Sequence, residues 1–390
     1  MITIQEAQQV LDKNILSFWQ QRMVDRENGG FYGRIDGDGK LYPEADKAII
    51  LNTRILWTFS AAFRQSKNTV YKQVADRAYH YLKDHFFDQE KGGVFWMLDF
   101  QGKVTEDKKQ VYAQAFAIYA LSEYEQIEGS GQALELAIEL FGLLEKYSRD
   151  RERNGYFEAF ARDWSAMEDV RLSEKDMNAT KTMNTHLHVL EAYTNLYRIW
   201  KDDRLAESLE NLIVLMSSCF ISETSHFHLF FDDDWRLLSD EISFGHDIEG
   251  SWLLAEAAEV LGDKTLIETT NALAVQMAEA ALSGLDEDGG LMNEASSEGL
   301  TDTDKHWWPQ AEALVGWLNA WQINNDQKFL DAAGKVWDFT KAYIIDQEGE
   351  WHWRVTKDHQ LVTSEDKAGP WKCPYHNGRA MLEIMERLKN

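Results

Sequence analysis

Ionisable and hydrogen-bonding residues stand out where they interrupt apolar stretches, because burying such a group costs free energy unless it is paired or used. Arg54 lies within Leu51-Asn52-Thr53-Arg54-Ile55-Leu56-Trp57, Tyr112 opens a second apolar stretch, and Asn184 and His188 sit one helical turn apart in a third. His246 and Glu249 follow in Gly245-His246-Asp247-Ile248-Glu249, and Trp307, Trp308 and Glu312 open the next stretch. His376 closes the series in Trp371-Lys372-Cys373-Pro374-Tyr375-His376-Asn377-Gly378-Arg379. Imidazoles gain and lose protons near neutral pH, a fixed guanidinium holds developing negative charge, and indole faces form platforms for ligand rings. Gathered in one place, these groups could move protons on a small molecule.

Each residue also has an ordinary role open to it. A single histidine on an apolar helix can be a satisfied core residue, Arg54 can belong to a structural ion pair, and Trp307 and Trp308 can be core. His246 and Glu249, at i and i+3, could be metal ligands with His188 as a third, but no further carboxylate or thiolate spacing completes such a site, and no metal is expected. The remaining histidines, His186 among them, read as structural.

What decides between these readings is the set of elements that carry the residues. Short Gly- and aromatic-rich segments recur: Gly29-Gly30-Phe31-Tyr32, Gly92-Gly93-Val94-Phe95-Trp96, Asn154-Gly155-Tyr156-Phe157, His226-Phe227-His228-Leu229-Phe230, Gly289-Gly290-Leu291-Met292 and Gly349-Glu350-Trp351-His352-Trp353. Their starts lie about 60 to 70 residues apart, which leaves room for a helix pair in each interval. Apolar residues at i, i+3, i+4 and i+7 predict twelve helices, at 4–21, 46–66, 70–87, 109–127, 131–148, 178–200, 203–219, 245–262, 264–283, 304–323, 326–343 and 372–388. The first carries Ile15, Leu16, Phe18 and Trp19 and does not read as a polar end-cap, so closure into a ring is expected over an open solenoid. The expected fold is all-α: a single (α/α)6 barrel spanning residues 1–390, with short β-hairpins at one mouth. All the interrupting polar residues fall on even-numbered helices, each about 20 to 30 residues after its aromatic segment, and so converge on one central pocket.

Composition bounds the partners. The chain of 390 residues is 44% hydrophobic and 12% aromatic with 4 prolines, so it can fill a large core and shows no linker. A formal charge of −26 repels phosphate backbones and anionic lipid, which excludes nucleic acid and membrane surfaces and favours a neutral small molecule. Cys219 and Cys373 are the only cysteines, no segment resembles a signal peptide, and no apolar run reaches membrane-spanning length. A cytoplasmic protein is expected, monomeric or weakly self-associating.

The motifs resemble those of the cellobiose 2-epimerase branch of the N-acylglucosamine 2-epimerase superfamily. Glu27-Asn28-Gly29-Gly30-Phe31-Tyr32-Gly33, Lys181-Thr182-Met183-Asn184, Gly245 to Glu249, Trp307-Trp308-Pro309-Gln310-Ala311-Glu312 and Trp371 to Arg379 match in order over essentially the whole length. The resemblance implies an (α/α)6 barrel that epimerises C2 of the reducing-end glucose of β-1,4-linked disaccharides without a cofactor. It places His246 and His376 as the general acid/base pair, with Arg54, His188 and Glu249 around the reacting carbons. Tyr112, Asn184, Trp308, Glu312 and Trp371 would line the sugar site, with Asp176 on a more variable loop. Glu249, three residues from His246, is expected to orient that imidazole. Three other readings stand beside this one: a 2-epimerase of mannose and glucose, a glycoside hydrolase using two carboxylates, and a sugar-binding protein without turnover.

Overall fold

Twelve helices alternate along the chain in the computed structural model, which describes residues 2–389. Helix α1 covers Ile4–Gln9 and continues through a π-helical stretch, Val10–Leu16, into Ser17–Arg22. It is followed by α2 (Ile49–Ser66), α3 (Thr69–Tyr81), α4 (Val111–Glu128), α5 (Gln132–Leu143) and α6 (Met183–Ile199). The second half contains α7 (Asp203–Cys219), α8 (Phe244–Leu261), α9 (Lys264–Ala281), α10 (Trp307–Asn324), α11 (Gln327–Phe339) and α12 (Tyr375–Arg387).

The two classes of helix differ in what they bury. Along α2, α4, α8 and α10 nearly every residue of the first three to four turns is buried, whereas α3, α7 and α11 bury only one stripe. A helix that is apolar on all sides must be surrounded, and a one-sided helix belongs at the surface. The even helices accordingly pack side by side in the order α2, α4, α6, α8, α10, α12, and α12 returns against α2 to close the ring. The odd helices form the outer layer, and the result is the (α/α)6 barrel expected from the repeat. No helix among the described residues is long and apolar enough to cross a membrane.

Most inner helices start two to five residues later than periodicity predicts, because the residues ahead of them are strand. Lys47–Ala48 pairs with Met97–Leu98, Lys109–Gln110 with Ala159–Phe160, Lys181–Thr182 with Phe230–Phe231, and Lys305–His306 with Arg354–Val355, all antiparallel. Each pair joins the start of one inner helix to the aromatic segment of the next repeat. An Ile35–Ala368 bridge links the last repeat to the first. These strands rim one mouth and fix the inner-helix N-termini there. The aromatic segments turn tightly: Gly92 and Gly93 have φ of 72° and 76°, a backbone region that costs a residue with a Cβ free energy.

A buried ion pair repeats with the fold. In four repeats the aspartate ahead of the aromatic segment caps its own turn, and the lysine just before the next inner helix donates to its second oxygen. In the first repeat Asp25 Oδ1 accepts from the Glu27 and Asn28 N–H groups, while Lys47 Nζ donates to Asp25 Oδ2 at 2.8 Å with both side chains fully buried. Lys109–Asp88, Lys181–Asp150 and Lys305–Asp286 repeat the contact at 2.7 to 3.0 Å, and in the sixth repeat Lys372 pairs at 2.6 Å with Glu350, inside the aromatic segment, while Asp346 ahead of it pairs with Lys367. In the fourth repeat Ser222 and Ile242 stand at the two positions, so both partners are replaced together. A buried charge stripped of its partner costs about 3–5 kcal/mol, whereas removing both can be nearly neutral. Lys47→Met should therefore lower the unfolding free energy by about 3 kcal/mol in urea titrations, and Asp25→Asn/Lys47→Met by clearly less; equal losses would count against this account.

Candidate active site

The polar residues singled out on the even helices all lie at the strand-rimmed end of the ring. At its centre is Arg379, on α12 one turn after His376 and 1% exposed. Its Nη1 donates to Glu191 and to the Tyr375 hydroxyl, and its Nη2 to Glu249 Oε1 at 2.5 Å and Glu312 Oε1 at 2.7 Å. One guanidinium thereby ties together carboxylates from α6, α8 and α10. Burial pushes the Glu249 carboxyl up to about 7, with the Glu312 charge adding to it. For Glu191 burial acts in the same direction, but Arg379 and His188 outweigh it and hold the group at about 2.

Two of these carboxylates orient imidazoles. Glu312 Oε1 lies 2.7 Å from His376 Nδ1 while Trp252 Nε1 donates to its Oε2, and Glu191 Oε2 lies 2.9 Å from His188 Nδ1. A carboxylate accepts only, so Nδ1 carries the proton and each Nε2 is left free for chemistry. His246 is held through Nδ1 by the Ser243 hydroxyl at 2.8 Å. Its ring lies 4.7 Å from Trp308, whose other neighbour at 5.6 Å is His376, so the two imidazoles flank one indole. Burial lowers His246 to about 3, with His188 charge adding, and lowers His376 well below the usual range, with Arg54 and Arg379 adding. Both are neutral bases at neutral pH.

Arg54 is 3% exposed and has no carboxylate within ion-pair distance among the described residues. Its Nη2 donates to the Tyr112 hydroxyl at 2.7 Å and its Nη1 to Cys373 Sγ at 3.7 Å, while Nε has no partner. The guanidinium packs on Phe116 and Tyr375 at 4.3 and 4.8 Å from the ring centroids. Burial raises the Tyr112 phenol above its ordinary value, so it brings no negative charge to the pair. The structural ion pair open to Arg54 from sequence is therefore absent. A buried cation without a counter-ion is expensive, and an anion arriving in the pocket would relieve that cost.

The chain matches the family model for N-acylglucosamine 2-epimerase (GlcNAc 2-epimerase) over residues 30–380. It is 50% identical over 384 residues to a cellobiose 2-epimerase of Bacteroides fragilis, covering 98% of each chain. The crystal structure of a sugar epimerase from a ruminal bacterium superposes with a TM-score of 0.95 at 41% identity, covering 99% of each chain. A cellobiose 2-epimerase structure from Bacillus thermoamylovorans gives 0.93 at 41% identity, covering 98% of this chain and 99% of that one. The chain belongs to the N-acylglucosamine 2-epimerase family.

Within this family member the structure assembles Arg54, Tyr112, His188, His246, Glu249, Trp308, Glu312 and His376, and sets Trp371 beside them, 6.1 Å from the Tyr112 ring. Asn184 lies one turn before His188 with its buried Oδ1 unpartnered. Two expectations are corrected. Glu249 does not orient His246; Arg379 takes its Oε1, which lies 3.8 Å from His376 Nδ1. Glu312 does not face the open pocket: it is 1% exposed and saturated by donors, which makes it the partner of His376. Among the described residues Asp176 makes no hydrogen bond to the cluster, although its charge acts on Glu158 beside the start of α6. It lies on the long loop 161–180, where its Oδ2 accepts from the Ser173 N–H and hydroxyl, both at 2.8 Å.

The grouping also bears on two other readings. Glu249 and Glu312 converge on one Nη2 of Arg379, so they do not flank a glycosidic bond as a hydrolase requires. Glu249, Glu312 and His376 do place ligand atoms within 4.8 Å of one another, but the Arg379 guanidinium already meets both carboxylates. His186 is structural, as expected: Nδ1 donates to the Thr182 carbonyl and Nε2 accepts from the Tyr156 N–H.

Sequence reasoning missed Glu191, Arg379 and Glu158. Glu158 is buried beside the start of α6, accepting from the Thr182 N–H at 2.7 Å and the Thr185 hydroxyl at 2.5 Å. Burial pushes its carboxyl from 4.5 up to about 8 despite these bonds. The folded chain therefore keeps a proton that the unfolded chain releases, and this contribution, complete below about pH 4.5, is lost as pH rises toward 8. Melting curves at about pH 5 and pH 8 should show the wild type losing about 2 kcal/mol more than Glu158→Gln over that interval; parallel losses would refute the assignment.

Proposed function

We propose that this protein catalyses reversible C2 epimerisation of the reducing-end glucose of β-1,4-linked disaccharides, converting cellobiose to glucosyl-mannose, with lactose and mannobiose as further substrates. Support comes from the full-length similarity to proteins named cellobiose 2-epimerase and from the pocket itself. The observation that carries the reading is Arg54: a buried guanidinium with no carboxylate partner, bonded to a tyrosine that packs against His188, suits a reaction whose intermediate is an anion.

Once the pyranose has opened, the C2 proton lies next to an aldehyde. One neutral imidazole of the His246/His376 pair removes it, and the negative charge spreads over O1 and O2 of a cis-enediolate. Arg54 donates to those oxygens, and His188, held through Nδ1 by Glu191, donates from Nε2 when protonated. The other imidazole of the pair returns a proton to the opposite face. Both histidines start neutral, so the second must first acquire a proton. In His376 that proton enters from solvent at Nε2, because Nδ1 already donates to Glu312. Trp308 and Trp371 offer apolar faces to the sugar ring, and the unpartnered Asn184 Oδ1 accepts from a hydroxyl. In this reading the enzyme acts in the cytoplasm and its own residues supply all the acid, base and electrostatic groups.

Incubation with cellobiose in heavy water should place deuterium at C2 of the glucosyl-mannose formed. His246→Asn and His376→Asn should each abolish turnover with an unchanged melting temperature, and Arg54→Met should lower kcat by about a hundredfold or more. Near-normal turnover in the double histidine variant, or product without deuterium, would overturn the proposal.

A further inference from the structure

The buried lysines of this protein are paired: Lys47, Lys109, Lys181, Lys305 and Lys372 each hold a carboxylate within 3.0 Å. Lys108 lies outside this set, as does half-buried Lys83, whose Nζ donates to the Gln132 side-chain amide. Lys108 is half-buried, has no carboxylate within ion-pair distance among the described residues, and makes one long hydrogen bond, 3.5 Å from Nζ to the Arg171 carbonyl. In a chain with 66 acidic residues against 40 basic ones, an unpaired ammonium so placed is conspicuous. Burial lowers its pKa, with the Glu106 and Asp169 charges opposing that shift.

Its position gives the exception meaning. Starting at the Arg54–Tyr112 contact, aromatic rings form a row leading away from the reaction centre: Tyr112 to Trp371 at 6.1 Å, then Trp371 to Trp96 at 6.1 Å. Lys108 Nζ lies 4.9 Å from the Trp96 ring centroid and so stands at the far end of the row. A sugar whose reducing ring sits by Arg54 would extend its second ring along the partly exposed Trp371 face, and the ammonium beyond buried Trp96 has donors to spare for hydroxyls there.

We propose that Lys108 is the distal substrate-binding residue, donating hydrogen bonds to the non-reducing ring and thereby favouring disaccharides over hexoses. The inference rests on the epimerase reading and refines its substrate class. A charge-assisted hydrogen bond to a neutral ligand, lost with its partner, corresponds to about a tenfold change in affinity.

The experiment compares wild type with Lys108→Met, which keeps an apolar stem against Trp96. Expected are a KM for cellobiose raised about tenfold, kcat within twofold, and an unchanged inhibition constant for mannose, which fills only the reacting-ring site. Lys108→Arg should recover part of the loss. An unchanged KM overturns the assignment, and so does a parallel rise in the mannose constant, which would show that the residue shapes the whole pocket. A wild-type protein inert toward cellobiose overturns the epimerase reading itself and the distal subsite with it.

Discussion

The site depends on one cation held among three acids. Glu191, Glu249 and Glu312 come from three different inner helices and are all nearly inaccessible to water. In an apolar interior their mutual repulsion and desolvation would oppose assembly, and Arg379 reverses that balance by donating to all three. The same contacts set the chemistry. With Glu312 and Glu191 anchored, His376 and His188 are each held through Nδ1, and the depressed proton affinity of His376 follows in part from the guanidinium beside it. Structural and reactive roles therefore cannot be varied independently here, since any change to Arg379 alters both helix packing and imidazole basicity.

The outer scaffold solves the complementary problem of holding six inner-helix ends at one height. Strand pairing between neighbouring repeats fixes the start of most inner helices, and the buried lysine–carboxylate contacts lock the intervening turns. The fourth repeat lacks that contact but keeps another: Asp247 accepts from the Phe227 N–H at 2.7 Å and pairs with His226, just as Gln114, His186 and Gln310 accept from the matching N–H in other repeats. Asp247 belongs to the same helical turn as His246, so this contact steadies a residue adjacent to the proposed base.

Much of this is legible in the amino-acid sequence. Periodicity and the recurring aromatic segments give the barrel, and the rule that a polar residue on an apolar helix needs a purpose brings together Arg54, His188, His246 and His376. The same rule applies to Glu191, between Leu190 and Ala192, and to Arg379, one turn from His376, but their significance lies in partners on other helices, which spacing along the chain does not reveal. For the same reason i,i+3 proximity suggested a Glu249–His246 pair: it identifies a shared helical face but not the stronger cation waiting across the barrel axis. The helix starts were placed early because two strand residues preserve apolar character without interrupting the pattern, and the lysine at position 47, 109, 181 or 305 looks like surface charge until its distant aspartate is seen.

The cation that reconciles the three acids sits on α12, the last helix of the ring to be translated. While the chain is being made, Glu191, Glu249 and Glu312 are already present, and their counter-charge is not. A nascent barrel therefore gains little from bringing those carboxylates together ahead of time, and the segment that seals the ring also permits it to close. Shortened products that lack this helix would retain the repeats and lose the centre, which makes them natural targets for proteolytic clearance.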